Sequence, residues 1–132
     1  MKINNLTLTN FRNHSDLKIN FDDKVTLITG DNGSGKSTIL ESIYILSVGR
    51  LKTSRYDRDL IQYEKDFCTV RANIETKEDI LDMELQIIKS ERFDNASTKK
   101  AKINKVIKSI QYFTGVFNSV LFSPQDIQLI TG

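Results

Sequence analysis

Cysteine and histidine each occur once in the 132 residues, proline occurs once and tryptophan is absent. The single Cys68 excludes an intrachain disulfide and fits a reducing compartment. It sits in the strand-like run Phe67-Cys68-Thr69-Val70 and reads as a buried, inert thiol, not a nucleophile. The lone histidine, His14, has no partner at a metal-ligand spacing and reads as a turn residue. No N-terminal apolar stretch resembles a secretory signal, and no segment approaches the length of a membrane span. A cytoplasmic chain without membrane partners is expected. The net charge of +2 is too small to announce nucleic acid by itself. Neither an internal repeat nor a linker is visible. What remains is a chain of one-domain size, with ordinary hydrophobic (39%) and charged (27%) fractions.

Against this plain background one stretch stands out. Gly30-Asp31-Asn32-Gly33-Ser34-Gly35-Lys36-Ser37 fits G-x-x-x-x-G-K-[ST], the phosphate-binding P-loop. Val25 to Thr29 before it reads as a short buried strand. Lys36 to Val48 after it reads as a helix with Ile39, Leu40, Ile43 and Leu46 on one broad apolar face. Gly33 and Gly35 let the backbone turn sharply and approach a phosphate without a Cβ in the way. Successive N–H groups from about Gly33 to Thr38 then form a nest at the positive end of the helix. Lys36 is placed to reach the β- and γ-phosphates, and the Ser37 hydroxyl to ligate Mg²⁺. ATP with Mg²⁺ is the expected ligand.

The flanking sequence supplies a frame. Ile3 to Thr9 and Leu17 to Phe21 alternate as strands, with Asn10 to His14 between them as a turn. Arg12 in that turn either folds back toward the phosphates or is a solvated turn arginine; spacing favours neither. Gly49 is a suitable residue to stop the helix. Arg50 to Arg58 is basic and irregular, with Leu60 and Ile61 returning to the core. Phe67 to Ile74 and Ile80 to Ile88 have period two and suggest an antiparallel meander, in which Leu81, Met83, Leu85 and Ile87 alternate with Asp82, Glu84 and Gln86. Ser90 to Lys100 reads as a polar hairpin tip, and Lys100 to Asn104 as a returning strand. Lysines 99, 100, 102, 105 and 108 have no aromatic interleaved and form either a solvated rim or a phosphate-backbone contact. Val106 to Phe117 has a weak helical period through Ile107, Ile110 and Phe113. Asn118 to Phe122 follows as a buried strand, and Ser123-Pro124-Gln125-Asp126 as a helix start.

A P-loop ATPase needs an apolar strand ending in a carboxylate, to hold Mg²⁺ and aim water. No such segment occurs in these 132 residues. Asp82 and Glu84 alternate like a surface strand, and no serine-glycine-glycine signature is present. The chain alone is therefore expected to bind ATP without hydrolysing it, with no catalytic residue of its own.

The opening Leu6-Thr7-Leu8-Thr9-Asn10-Phe11-Arg12-Asn13 resembles the start of the RecF family, bacterial DNA replication and repair ATPases related to SMC heads. The resemblance continues through the P-loop, Leu40-Glu41-Ser42-Ile43-Tyr44, Gly49-Arg50 with Thr53-Ser54-Arg55, and Val120-Leu121-Phe122-Ser123-Pro124-Gln125-Asp126. It implies an α/β fold: a P-loop NTPase of ABC/SMC-head type, seen as its N-terminal lobe with an antiparallel meander beside the P-loop strand and helix. The division expected is one lobe over 1–132, with a P-loop core of about 1–50 and 116–132 and a meander of about 51–115. The resemblance also implies a slow ATPase that dimerises with ATP and binds DNA without sequence preference, with RecR and RecO as partners. It makes Arg12 the family's phosphate-proximal arginine. Two positions depart from the pattern. Gly33-Ser34 makes the loop more like SMC heads, and Gln125 stands where the family has an acidic residue near Mg²⁺. The family's signature, acidic strand and helical arm are expected beyond Gly132.

Other readings are an SMC-like head, a transporter subunit or a non-catalytic nucleotide-binding module. An SMC protein needs long heptad segments, absent here. A transporter usually carries an aromatic platform before the loop, and the only candidate, Phe11, fits core packing better.

Overall fold

In a computed structural model of the chain, residues 2–21, 36–49, 56–93 and 96–118 are described. Strands β1 (Lys2–Phe11) and β2 (His14–Asn20) form an N-terminal hairpin, followed by helix α1 (Lys36–Val48) and a single 3₁₀ turn (Asp57–Leu60). Strands β3 (Phe67–Glu75), β4 (Ile80–Lys89), β5 (Ser97–Ile103) and β6 (Val106–Lys108) make the meander, and helix α2 (Ile110–Asn118) follows. These strands pair in one six-stranded sheet of order β2-β1-β3-β4-β5-β6. Every pairing is antiparallel.

Period-two alternation gives the sheet one dry face. Leu6 lies opposite Ala72, Ala72 opposite Met83 and Met83 opposite Ile103, all buried. The adjacent row runs Leu8, Val70, Leu85, Ala101 and is equally buried. Helix α1 lays Ile39, Ile43, Ile45 and Leu46 into this core, and α2 adds Phe113. Ser42 is also buried there, and its hydroxyl donates to the Ile39 carbonyl at 2.6 Å, so the buried polar group is satisfied within the helix. The helix ends as expected. Gly49 has φ +86, and its N–H donates to the Ile45 carbonyl at 2.7 Å. A Cβ at Gly49 would meet Thr114 Cγ2 at 3.0 Å and Ile110 Cγ2 at 3.3 Å, so glycine is needed both for its dihedral and for the approach of α2.

Several boundaries differ from the expectations. The turn expected over Asn10 to His14 is only Arg12-Asn13: Phe11 pairs with His14 across it, and a bridge joins Phe11 to Ile61. Phe11 is a core residue, and His14 opens a strand. The returning strand β5 begins at Ser97, because its polar first residues pair with Lys89, Ile88 and Ile87. The helix expected from Val106 starts at Ile110. Asn104 and Lys105 both take positive φ (53° and 68°), the signature of a type I′ hairpin turn, and fold Val106 back against Ile103. Ser109 then caps α2, its hydroxyl accepting from the Tyr112 N–H at 3.1 Å. Asn118 closes α2 and does not begin a strand. Leu60 and Ile61 do return to the core. The strand expected at 25–29 and the elements expected over 119–132 lie outside the described residues.

Phe11 is fully buried, whereas Ile107 is 66% exposed. Phe11→Ala should therefore cost about 3–5 kcal/mol. Ile107→Ala should stay within about 0.5 kcal/mol. Urea unfolding of the two variants measures the contrast, and equal midpoints would contradict this placement of the core.

Candidate nucleotide site and its relatives

Helix α1 presents its N-terminus at Lys36, so that the last two residues of the P-loop pattern, Lys36 and Ser37, open the helix. It carries no acidic residue in its first turn. Gly30, Asp31, Asn32, Gly33, Ser34, Gly35 and Gln125 lie outside the described residues. Lys36, Ser37 and Thr38 form the first turn of α1 by their backbone. An α-helix leaves its first N–H groups without intrahelical partners and concentrates positive potential there, so this end suits an anion.

Arg12 comes to the same helix from the other side of the sequence. Its Nη2 donates to Glu41 Oε2 at 2.9 Å, with side chains 32% and 23% exposed. The backbone holding it is unusual: Asn10 and Arg12 both take left-handed φ, 51° and 52°. Arginine accepts this only under constraint, and the constraints are visible. The Arg12 N–H donates to the Leu60 carbonyl at 2.8 Å, and the Gln62 N–H donates to the Asn10 carbonyl at 2.7 Å. Ser15 Oγ and Gln62 Oε1, 3.1 Å apart, add a side-chain tie. The end of the 3₁₀ turn and the residues just after it thus grip the β1–β2 turn and set Arg12 beside α1.

A family model described as AAA ATPase domain matches residues 1–122. The chain belongs to the AAA ATPase domain family. Within it this chain is RecF-like. It is 34% identical over its whole length to the DNA replication and repair protein RecF of Bacillus thuringiensis (strain Al Hakam), and equally to that of Bacillus cereus (strain B4264). It spans about a third (34%) of the length of those relatives. Among solved structures, the recombination mediator protein RecF with ATP covers 96% of this chain at 26% identity, with a TM-score of 0.73. The chain in turn covers 33% of that protein. An SMC head domain from Thermotoga maritima covers 88% of this chain and is itself covered to 42%, at 19% identity and TM-score 0.69; it shows the fold alone. The fold is that of a P-loop ATPase lobe of ABC/SMC-head type.

The far end of α1 in this AAA ATPase domain is held by a residue that the sequence did not single out from its neighbours. Lys99 Nζ donates to the Gly49 carbonyl at 2.6 Å and pairs with Asp57 Oδ2 at 2.9 Å. The basic stretch is therefore not one patch. Alternation along β5 sends Lys99 to the helix side, while Lys100 and Lys102 lie on the rows of Gln86 and Glu84 on the outer face. Lys102 Nζ is 3.9 Å from Glu84 Oε2, and Lys108 stacks over the Tyr112 ring at 5.1 Å. Nothing in a run of lysines marks one of them as a helix anchor.

The two carboxylates nearest to a catalytic pattern are committed elsewhere. Asp82 accepts both Arg71 Nε (2.8 Å) and Nη2 (2.6 Å), and Glu84 shares its row with Lys102. Both lie on the face of the sheet away from α1. Among the described residues, no group of three or more His, Cys, Asp or Glu is placed to hold a metal ion, and no helix is long and apolar enough to cross a membrane. His14 Nε2 is buried without a hydrogen-bond partner among the described residues.

Cys68 is fully buried in β3, and burial pushes its thiol up from 9.0 to about 12. Since only the thiolate attacks, the native thiol should resist alkylation at pH 8 and react once urea unfolds the chain. Mass measurement after iodoacetamide treatment, with and without urea, tests this. The sign for stability follows. The raised folded value favours the neutral thiol, so its contribution is complete below about pH 9 and is lost as pH rises through about 12. Cys68→Ala should flatten that alkaline loss. Rapid labelling of the folded chain would contradict the burial.

Proposed function

We propose that this chain is the ATP-binding lobe of a RecF-like DNA replication and repair protein, one that binds DNA as an ATP-dependent dimer. The observation that carries the reading is the P-loop pattern Gly30 to Ser37 running into a helix whose first turn lacks any carboxylate. Arg12, pinned beside the same helix, supports it. In this reading Gly30, Asp31, Asn32, Gly33, Ser34, Gly35 and Thr38 wrap the phosphates. Lys36 pairs with their terminal charge, Ser37 holds Mg²⁺, and Gln125 is a further ligand to it. The lobe spans 1–132, a P-loop core of about 1–50 and 116–132 carrying the meander of about 51–115. Likeness to RecF along the entire chain supports the assignment to DNA repair, with RecR and RecO as partners and the cytoplasm as location.

Charged hydrogen bonds are worth about 1.5–3 kcal/mol each, so Lys36→Ala should weaken ATP binding roughly 10- to 150-fold. Calorimetric titration of the two proteins reads this directly, and equal affinities would remove Lys36 from the site. The same pair serves for phosphate release. With Asp82 and Glu84 committed to Arg71 and Lys102 on the opposite face, the 132-residue chain alone should show no sustained turnover above the Lys36→Ala control.

DNA contact by this lobe rests on lysine and arginine against phosphate, so binding should be sequence-independent and fall steeply with salt. At net charge +2, weak binding is expected from this chain alone. Fluorescence anisotropy with a labelled duplex at 50 and 200 mM salt tests it; a curve that does not move with salt would contradict it.

A further inference from the structure

Glu41 follows Ser37 by four residues in α1, so the two positions stand on one helical row, a turn apart. A carboxylate at that place opposes a polyanion held in the preceding turn. The chain nevertheless has one there, and it sets a cation against it. Arg12 Nη2 lies 2.9 Å from Glu41 Oε2, both side chains being largely covered. The Arg12 backbone is fixed independently, by its left-handed φ of 52° and its N–H bond to the Leu60 carbonyl at 2.8 Å. A fixed backbone still leaves a long side chain with several rotatable bonds. Glu41 is a partner that bonds the guanidinium directly and so fixes where it goes.

We propose that Glu41 is the positioning residue for Arg12. Its carboxylate holds the guanidinium along the Ser37–Glu41 row of α1, so that a nucleotide triphosphate meets a cation already oriented at the edge of its site. The inference rests on the reading of Gly30 to Ser37 as an ATP site. It makes a prediction opposite in sign to simple electrostatics. Removing a negative charge near a polyanion should tighten binding if charge alone mattered. Removing the group that orients Arg12 should weaken it.

The experiment is calorimetric titration of ATP into the 132-residue chain and into Glu41→Gln, Glu41→Asp, Arg12→Ala, Lys36→Ala and the Arg12→Ala/Glu41→Gln double variant, after thermal melts show which are folded. Glu41→Gln should weaken ATP binding roughly 10-fold, the lower end of the loss seen when the hydrogen-bonding partner of a metal-ligating side chain is removed. Glu41→Asp keeps the charge but shortens the reach and should fall between wild type and Gln. In the Arg12→Ala background, Glu41→Gln should produce no further weakening, because the residue through which it acts is gone. A merely structural glutamate would weaken binding equally in both backgrounds, and that result overturns the proposal. So does a Glu41→Gln protein that binds ATP as tightly as wild type or tighter. Should Glu41→Gln not fold, unchanged binding in Glu41→Asp overturns it instead. Wild-type protein that fails to bind ATP overturns the site reading and this inference together. Binding lost in Lys36→Ala but untouched in the Glu41 variants overturns this inference alone.

Discussion

Helix α1 can bury Ile39, Ile43, Ile45 and Leu46 only by lying on the dry face of the sheet, and that constraint orders everything around it. Once the helix lies there, its two ends are no longer equivalent. The C-terminal end must pass under α2, which Gly49 permits by having no side chain to strike Thr114 and Ile110. The N-terminal end comes within reach of the β1–β2 turn, and Arg12 meets Glu41. A phosphate site at a helix N-terminus is useful only if that terminus cannot drift, and here burial of one face and ties at each end restrain it.

The sequence was most readable where one physical rule acts alone. Alternation in β3 and β4 reports a sheet with one wet face, and the 3.6-residue period after Lys36, stopped by Gly49, gives α1 with its observed bounds. The P-loop pattern is local, so eight consecutive residues suffice to read it. Failures came where pairing overrode local preference. Ser97, Thr98 and Lys99 look like a loop tip, yet the open edge of β4 recruits them as a strand. Val106 and Ile107 look like the first turn of a helix because Ile107, Ile110 and Phe113 follow a helical period, yet Asn104-Lys105 makes a primed turn before them. Phe11 looks like part of a turn, since Asn10-Phe11-Arg12-Asn13-His14 breaks the alternation of the strand before it. None of these positions violates chemistry; each satisfies a strand partner across the sheet.

The site was legible in type and illegible in its supports. Residue kind and spacing identify a phosphate cradle, but no spacing rule joins position 12 to position 41, or position 99 to positions 49 and 57. A contact across 29 or 50 residues leaves no periodic trace in one sequence. Resemblance to RecF marked Arg12, through the opening Asn10-Phe11-Arg12-Asn13. Glu41 came along only as one letter of a matching stretch, and Lys99 as one of several lysines.

The charge arrangement along α1 explains why those distant contacts are needed. The helix has no acidic residue in its first turn and no basic residue in its last, so it does not complement its own dipole. A positive side chain at the C-terminal end stabilises a helix by about 0.3–1 kcal/mol, and here Lys99 supplies it from β5, at 2.6 Å from the Gly49 carbonyl. At the other end no acidic residue stands in the first turn of the helix, and the first acidic side chain along it, Glu41, pairs with Arg12. Both corrections arrive through the same stretch of chain. Asp57 anchors Lys99 from the 3₁₀ turn, and Leu60, the last residue of that turn, and Gln62, just after it, anchor the Arg12 turn. The stretch from Asp57 to Gln62 therefore links the two ends of the helix. Moving it would unsettle the C-terminal anchor and the position of Arg12 together, so a small displacement there reaches both ends of α1.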